Sequence, residues 1–180
     1  QIDSTGGSPV AAEEIANALT RVAKPSIALI RGEGLSAAYW SATGADYIVA
    51  AENAEVGSIG VTSSYVDQSK HNVQSGFTFH SISTGEYKDI LNSNKVLTTK
   101  EEALVRDEIG VMLSNFVNTI SRNRGLAVAS ITPALTSGAP FIASSALTYG
   151  LIDQIGDKET VRSYLATTLH KTRADMVYCK

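Results

Sequence analysis

Cysteine is almost missing from this 180-residue chain: the one present, Cys179, stands next to the C-terminus. That excludes a disulfide framework within the chain and any cysteine-based zinc site. An excess of one charge is missing as well. Fifteen Lys and Arg against eighteen Asp and Glu give a formal net charge of −3, so there is no electrostatic case for binding nucleic acid. No apolar run approaches the roughly 18 residues of a membrane span. The opening Gln1-Ile2-Asp3-Ser4-Thr5-Gly6-Gly7 lacks the build of a signal peptide, so work at a membrane would need an anchor outside this chain. Low-complexity tracts and internal repeats are absent too. What remains is 43% apolar with a mean hydropathy of +0.01, the profile of a single domain over residues 1–180. A chain of this length buries about two thirds of its unfolded surface on folding, and needs neither disulfides nor a metal for stability.

The sequence opens on a polar Gly-Gly turn with no strand expected before it. A helix follows, with Ser8 as N-cap, Pro9 at its first position and Ile15, Leu19 and Val22 at helical spacing. It is expected to run to about residue 23, where Lys24-Pro25 breaks it. Residues 26–30 read as a short buried strand and 31–36 as a tight Gly-rich turn leading into a small-residue helix over 37–42. A second strand is expected over 47–51, then a Gly-punctuated segment over 57–61 where backbones approach closely. Residues 66–74 read as a helix, and alternating Phe77, Phe79 and Ile82 as a strand. A polar loop over 84–96 carries Lys88. The strongest periodic signal is a helix over 100–123 with a Thr99/Glu102 capping box and a stripe of Ile109, Met112, Leu113, Phe116, Val117 and Ile120. Short helices are expected over 127–135, 144–149 and 158–170, with an apolar piece at Phe141. Strands alternating with helices indicate an α/β fold with a largely parallel sheet.

Ser36 stands out among many serines because a Gly-rich turn between strand and helix aims its hydroxyl outward. Backbone N–H groups at a helix N-terminus lie next to it, and such donors can stabilise the oxyanion of an acyl-transfer intermediate. On local pattern alone Ser36 reads either as a nucleophile or as the N-cap of its helix. The turn is not a G-x-S-x-G elbow, since Ala38 stands where the last glycine would be. A serine nucleophile needs a base. His71, His80 and His170 lie in no triad motif. The alternative is a lysine, because an amine buried beside a serine loses affinity for its proton. Lys88 is the candidate, and read in isolation it is a solvated loop residue.

The ordered set Asp3-Ser4-Thr5-Gly6-Gly7, Lys24-Pro25, Gly34-Leu35-Ser36-Ala37-Ala38-Tyr39-Trp40, Gly57-Ser58-Ile59-Gly60-Val61 and Gly85-Glu86-Tyr87-Lys88-Asp89 resembles the signal peptide peptidase A (SppA) family of Ser/Lys peptidases. The likeness continues through Arg122-Asn123-Arg124-Gly125-Leu126 and Ala146-Leu147-Thr148-Tyr149-Gly150-Leu151-Ile152-Asp153. It implies a Clp protease/crotonase-like fold of repeated β-β-α units around a largely parallel sheet. It also implies Ser36 as nucleophile, Lys88 as general base, and the Gly7 amide as oxyanion donor, with the amide of Ala37 a second donor. No cofactor or metal is implied. The implied substrates are extended apolar peptides such as remnant signal peptides. The implied assembly is a homo-oligomer in which serine and lysine can come from neighbouring subunits. A membrane-associated, extracytoplasmic setting follows by the same resemblance.

Three departures stand out. Thr5 replaces the family's usual proline before Gly-Gly. Ala37-Ala38 replaces the usual Gly-Gly after the serine, a feature of the phage capsid-maturation branch. The strands that precede the Gly-Gly turn in the family are not expected here. Two readings outside signal-peptide cleavage also use parts of this pattern: a crotonase-like acyl-CoA enzyme, which needs the oxyanion hole but no Lys88, and a catalytically silent assembly module.

Overall fold

In the computed structural model the described residues are 1–176; Cys179 lies outside them. The Gly-Gly turn does have a strand before it. Ile2–Ser4 forms β1, parallel to the next strand, with Ile2 opposite Ile30 and Ser4 opposite Gly34. Asp3 fastens this short strand by accepting the Glu33 N–H on its Oδ1 at 3.0 Å. Helix α1 (Pro9–Leu19) starts as expected, with Ser8 accepting the Ala11 N–H. It stops four residues short of the expected end. Its buried face is also different: Ala12 and Ala16 are buried, while Ile15 is 50% exposed. The cause is a close helix contact, because a Cβ on Gly44 would sit 2.3 Å from the Ala16 carbonyl oxygen. Only small side chains fit there.

Strand β2 (Ile27–Leu35) is the hub of the sheet. It absorbs residues 31–35, which the glycine content had marked as a turn. Its first half pairs in parallel with β3 (Tyr47–Ala50), from Ile27 opposite Tyr47 to Ile30 opposite Ala50. Its second half pairs in parallel with β4 (Glu55–Gly57), ending with Leu35 opposite Gly57. Between β2 and β3 lies α2 (Ala37–Ala42). At the sheet's ends β5 (Pro140–Ile142) runs antiparallel to β4, and β6 (Gln154–Ile155) parallel to β3. The sheet is therefore mixed, with one antiparallel pair.

The chain divides into two compact units, the first made of Gln1–Gly60 with Leu113–Lys180, the second of Val61–Met112. The first holds the sheet and a continuous apolar core that includes Ile30, Tyr39, Ile48, Val56, Phe116 and Leu151. The second contains α3 (Ser69–Gln74) and the start of α4 (Thr99–Arg124), a helix that ends in the first unit. The expected strand at Phe77, Phe79 and Ile82 is absent. These side chains are 61%, 55% and 98% exposed, and alternation alone makes no strand without a neighbour to pair with or a face to bury. The capping box of α4 is one residue earlier than expected: Glu101 N–H donates to Thr98 Oγ1 and Thr98 N–H to Glu101 Oε2. After α4, residues 127–135 form a short 3₁₀ turn, Val128–Ser130, and a hydrogen-bonded turn from Thr132 to Leu135 in place of the expected helix. Helices α5 (Ala143–Thr148) and α6 (Lys158–Thr168) follow.

Candidate active site

Ser36 is the junction between β2 and α2, and its backbone has φ 50° and ψ −123°. A positive φ is uncommon for a residue with a side chain and is held only where surrounding structure enforces it, at a cost of about 1–3 kcal/mol. Two contacts enforce it here. The Ser36 N–H donates to the Gly57 carbonyl at 2.7 Å, extending the β2–β4 pairing by one residue, and the Ser36 carbonyl accepts the Trp40 N–H at 2.9 Å, opening the helix. The hydroxyl, meanwhile, makes no capping bond. Ser36 thus occupies the N-cap position, but its side chain does not cap.

The Gly6–Gly7 turn sits directly on this junction. Both glycines have positive φ, 125° and 150°. A Cβ on Gly6 would lie 2.9 Å from Ser36 Cβ, closer than side chains come, and a tight 3.1 Å from the Leu35 carbonyl oxygen. Gly6 therefore makes the close approach, a role the sequence reading had not given it; two adjacent glycines after a short extended segment are the signal that carries it. Gly7 faces open space. Among the described residues the amides of Gly7 and Ala37 make no hydrogen bond, so both N–H groups remain able to receive an anionic oxygen. An apolar cleft of about 520 Å³ adjoins them, lined by Gly7, Ala37, Ala38, Ala11 and Ile15 among others.

The frame beneath α2 is polar and buried. Tyr39, fully buried, donates its hydroxyl to the Leu151 carbonyl at 2.8 Å, and burial pushes its phenol well above the usual range. Arg124, at the end of α4, grips Asp153 with both terminal nitrogens at 2.9 and 2.7 Å and also donates to the Gly150 carbonyl. Burial works hardest against the guanidinium charge, but the hydrogen bond it donates to Asp153 and the nearby Tyr39, Asp153 and Tyr47 together outweigh it, and Arg124 binds its proton more tightly than usual. Asp153 in turn accepts the Ile48 N–H at 2.7 Å, and Asn123 donates to Thr43 at 3.2 Å. The Arg122–Gly125 and Leu151–Asp153 stretches thus hold the helix that carries Ser36. Trp40, one turn past Ser36, stacks on Phe116 with ring centres 4.6 Å apart.

Lys88 belongs to the second unit. It lies in a run of turns without helix or strand, with its N–H bonded to the Gly85 carbonyl at 3.1 Å, and it is exposed within that unit. Of the three lysines over 88–100, Lys95 pairs with Glu101 at 2.5 Å and Lys100 with Glu86 at 3.1 Å. Lys88 has no carboxylate partner among the described residues. His71, His80 and His170 are all exposed, and none of their rings hydrogen-bonds another described residue. No group of three or more His, Cys, Asp or Glu among the described residues is placed to hold a metal ion. No helix among them is long and apolar enough to cross a membrane.

Residues 18–172 match the sequence model of peptidase family S49. The chain belongs to peptidase family S49. Similar proteins include a candidate protease of Synechocystis sp., 30% identical over 169 residues that make up 93% of this chain and 61% of the relative. A candidate signal peptide peptidase SppA of Enterococcus faecium is 25% identical over 183 residues, covering 100% of this chain and 53% of that protein. The head-tail preconnector protein GP5 of Enterobacteria phage P21 is 28% identical, over 94% of this chain and 34% of its own. This S49 chain thus spans little more than half the length of the first two. Among solved structures, an alanine-for-serine variant of the membrane-bound stomatin-specific protease 1510-N superposes with a TM-score of 0.58 at 14% identity, over 91% of this chain and 66% of that one. The last likeness shows the fold alone, and the expected α/β class is the class found. Membership in S49 is in line with the SppA resemblance.

Proposed function

We propose that this S49 chain is a serine endopeptidase in which Ser36 and Lys88 form the catalytic dyad, and that residues 1–180 work as one SppA-like peptidase domain. The observation that carries this is Ser36 itself. A non-glycine residue is held at positive φ between strand and helix, its hydroxyl making no cap, beside a Gly-Gly turn and two amides with no acceptor among the described residues. Strain of that kind clusters at active sites, where it can aim a reactive group.

In the reaction, the uncharged Lys88 amine takes the Ser36 hydroxyl proton as the serine oxygen attacks the scissile carbonyl. The Gly7 and Ala37 amides donate to the oxyanion. Lys88 returns the proton to the departing amine as the peptide bond breaks. A water then gives a proton to Lys88, attacks the acyl-serine and releases the second product, restoring both side chains. An extended apolar peptide, such as a remnant signal peptide, suits the cleft lined by Ala11, Ile15 and Ala37, and main-chain pairing serves many sequences. Lys88 is exposed in its own unit, so the dry surroundings that favour an uncharged amine must come from other groups. A second subunit supplies them in the homo-oligomer we propose. The setting is membrane-associated and extracytoplasmic, with the anchor outside these residues.

The test is cleavage of a fluorogenic apolar peptide by the full chain. Ser36→Ala and Lys88→Ala are each expected to lower kcat by at least ~1000-fold, and mixing the two variants should restore part of the activity if sites are shared between subunits. Full activity in either single variant overturns the dyad. Failure of a serine-directed covalent probe to label the wild-type protein would favour the silent assembly module, and cleavage of a capsid precursor but not of signal peptides would favour the phage role.

A further inference from the structure

The second unit has a feature that the proposed chemistry does not use. Glu101, 3% exposed, is its one buried charge among the described residues. Its Oε1 accepts Lys95 Nζ at 2.5 Å, and its Oε2 accepts both the N–H and the hydroxyl of Thr98, at 2.9 and 2.8 Å. These bonds hold the carboxyl down at about 2. Lys95 also faces Asp89, Nζ to Oδ2 at 3.9 Å. Asp89 is the residue after Lys88, and its other oxygen accepts Asn92 Nδ2 at 2.7 Å. The same stretch is tied to α3 by Gln68 N–H on the Ser93 carbonyl and Asn72 Nδ2 on Asn94 Oδ1. Between residues 84 and 98 there is no helix or strand to fix the backbone. Consecutive turns (Gly85 to Lys88, Tyr87 to Ile90, Asp89 to Asn92, Asn92 to Lys95) pass the position of Lys88 along to Lys95, and Lys95 ends on Glu101.

We propose that Glu101, acting through Lys95 and Asp89, is a positioning residue for Lys88: the buried carboxylate and its lysine anchor the turn run that presents the amine. The idea rests on Lys88 being the base. A catalytic amine must be held to within about 0.5 Å, and an exposed run of turns cannot do that without a fixed end. A buried carboxylate with both oxygens satisfied gives a fixed end, and removing Lys95 leaves that buried charge without its cation.

The experiment uses the full-length chain with a fluorogenic peptide, together with amide hydrogen exchange over residues 84–96. Glu101→Gln and Lys95→Met are expected to lower kcat at least tenfold with KM changed less than about threefold, to speed exchange over 84–96, and to be no worse combined than singly. Lys95→Arg, which keeps the charge, should recover kcat to within about threefold. Lys95 is one-third exposed, so its variants report even if Glu101→Gln fails to fold. Wild-type kcat in Lys95→Met, with Lys88→Ala inactive, overturns the positioning role alone. A fully active Lys88→Ala overturns the dyad beneath it.

Discussion

The two units are stabilised by opposite means. In the first, the buried side chains are overwhelmingly apolar, and they form one cluster around the sheet. In the second, the two buried residues are Asn72 and Glu101, both polar, while Val66, Val73, Phe77, Phe79, Ile82 and Val96 are more than half exposed. The serine is therefore mounted on a close-packed frame, and the lysine on a hydrogen-bonded one. An apolar core resists pH and loses stability by losing volume; a hydrogen-bonded frame gives up little when an apolar group is trimmed but answers to acid. The exposed apolar side chains around the Lys88 loop also fit the shared-site oligomer proposed above, since they present surface to bury against a second copy.

The contrast can be broken at three points. The largest expected effect is in the apolar core: Phe116→Ala removes a buried ring stacked on Trp40 and should cost about 3–5 kcal/mol, read by chemical denaturation through the fluorescence of Trp40, the single tryptophan. A cost below about 1 kcal/mol would mean that the first unit is not the rigid partner. Next comes acid. Hydrogen bonds from Lys95 and then Thr98 lower the Glu101 carboxyl from its ordinary 4.5 to about 2. Because the unfolded form takes up a proton first as pH falls, this contribution is complete above about pH 4.5 and is lost progressively down to about pH 2. Amide protection over residues 84–101, measured relative to the intrinsic exchange rate at each pH, should therefore fall across that window, and Glu101→Gln should flatten the response; an unchanged response would remove Glu101 from the frame. The smallest effect is at Val73, 75% exposed. Val73→Ala should shift stability by no more than about 0.5 kcal/mol, and a loss of 2 kcal/mol would reveal hidden apolar packing in the second unit.

What could be read from the sequence follows the same division. Where local signal and core packing agree, the elements were legible: Ser8-Pro9 opens α1, and Phe116 and Ile120 lie on the buried stripe of α4. Ser36 at a strand-to-helix junction was legible for that reason, as was the glycine turn that meets it. The misses came where tertiary contacts overrode local preference. Gly32 and Gly34 suggest a turn, but pairing with β1 on one side and β4 on the other extends the strand through them. Ile15 belongs by hydropathy to a buried stripe, but the close approach of Gly44 selects the alanines instead. In the second unit the polar bonds of Glu101, Lys95 and Asn94 leave almost no periodic trace, and Phe77, Phe79 and Ile82 give a strand pattern with nothing to pair. Lys88 stood out only through its resemblance to a family motif.

The double pairing of β2 has one further consequence. Because the same nine residues are gauged against β3 at one end and β4 at the other, the ladder counts out where Ser36 falls. Deleting or adding a single residue between Ile30 and Leu35 would turn every following side chain to the opposite face and move the hydroxyl off the glycine turn. Length changes across homologous chains should therefore be rare in this ruler and collect in loops outside it.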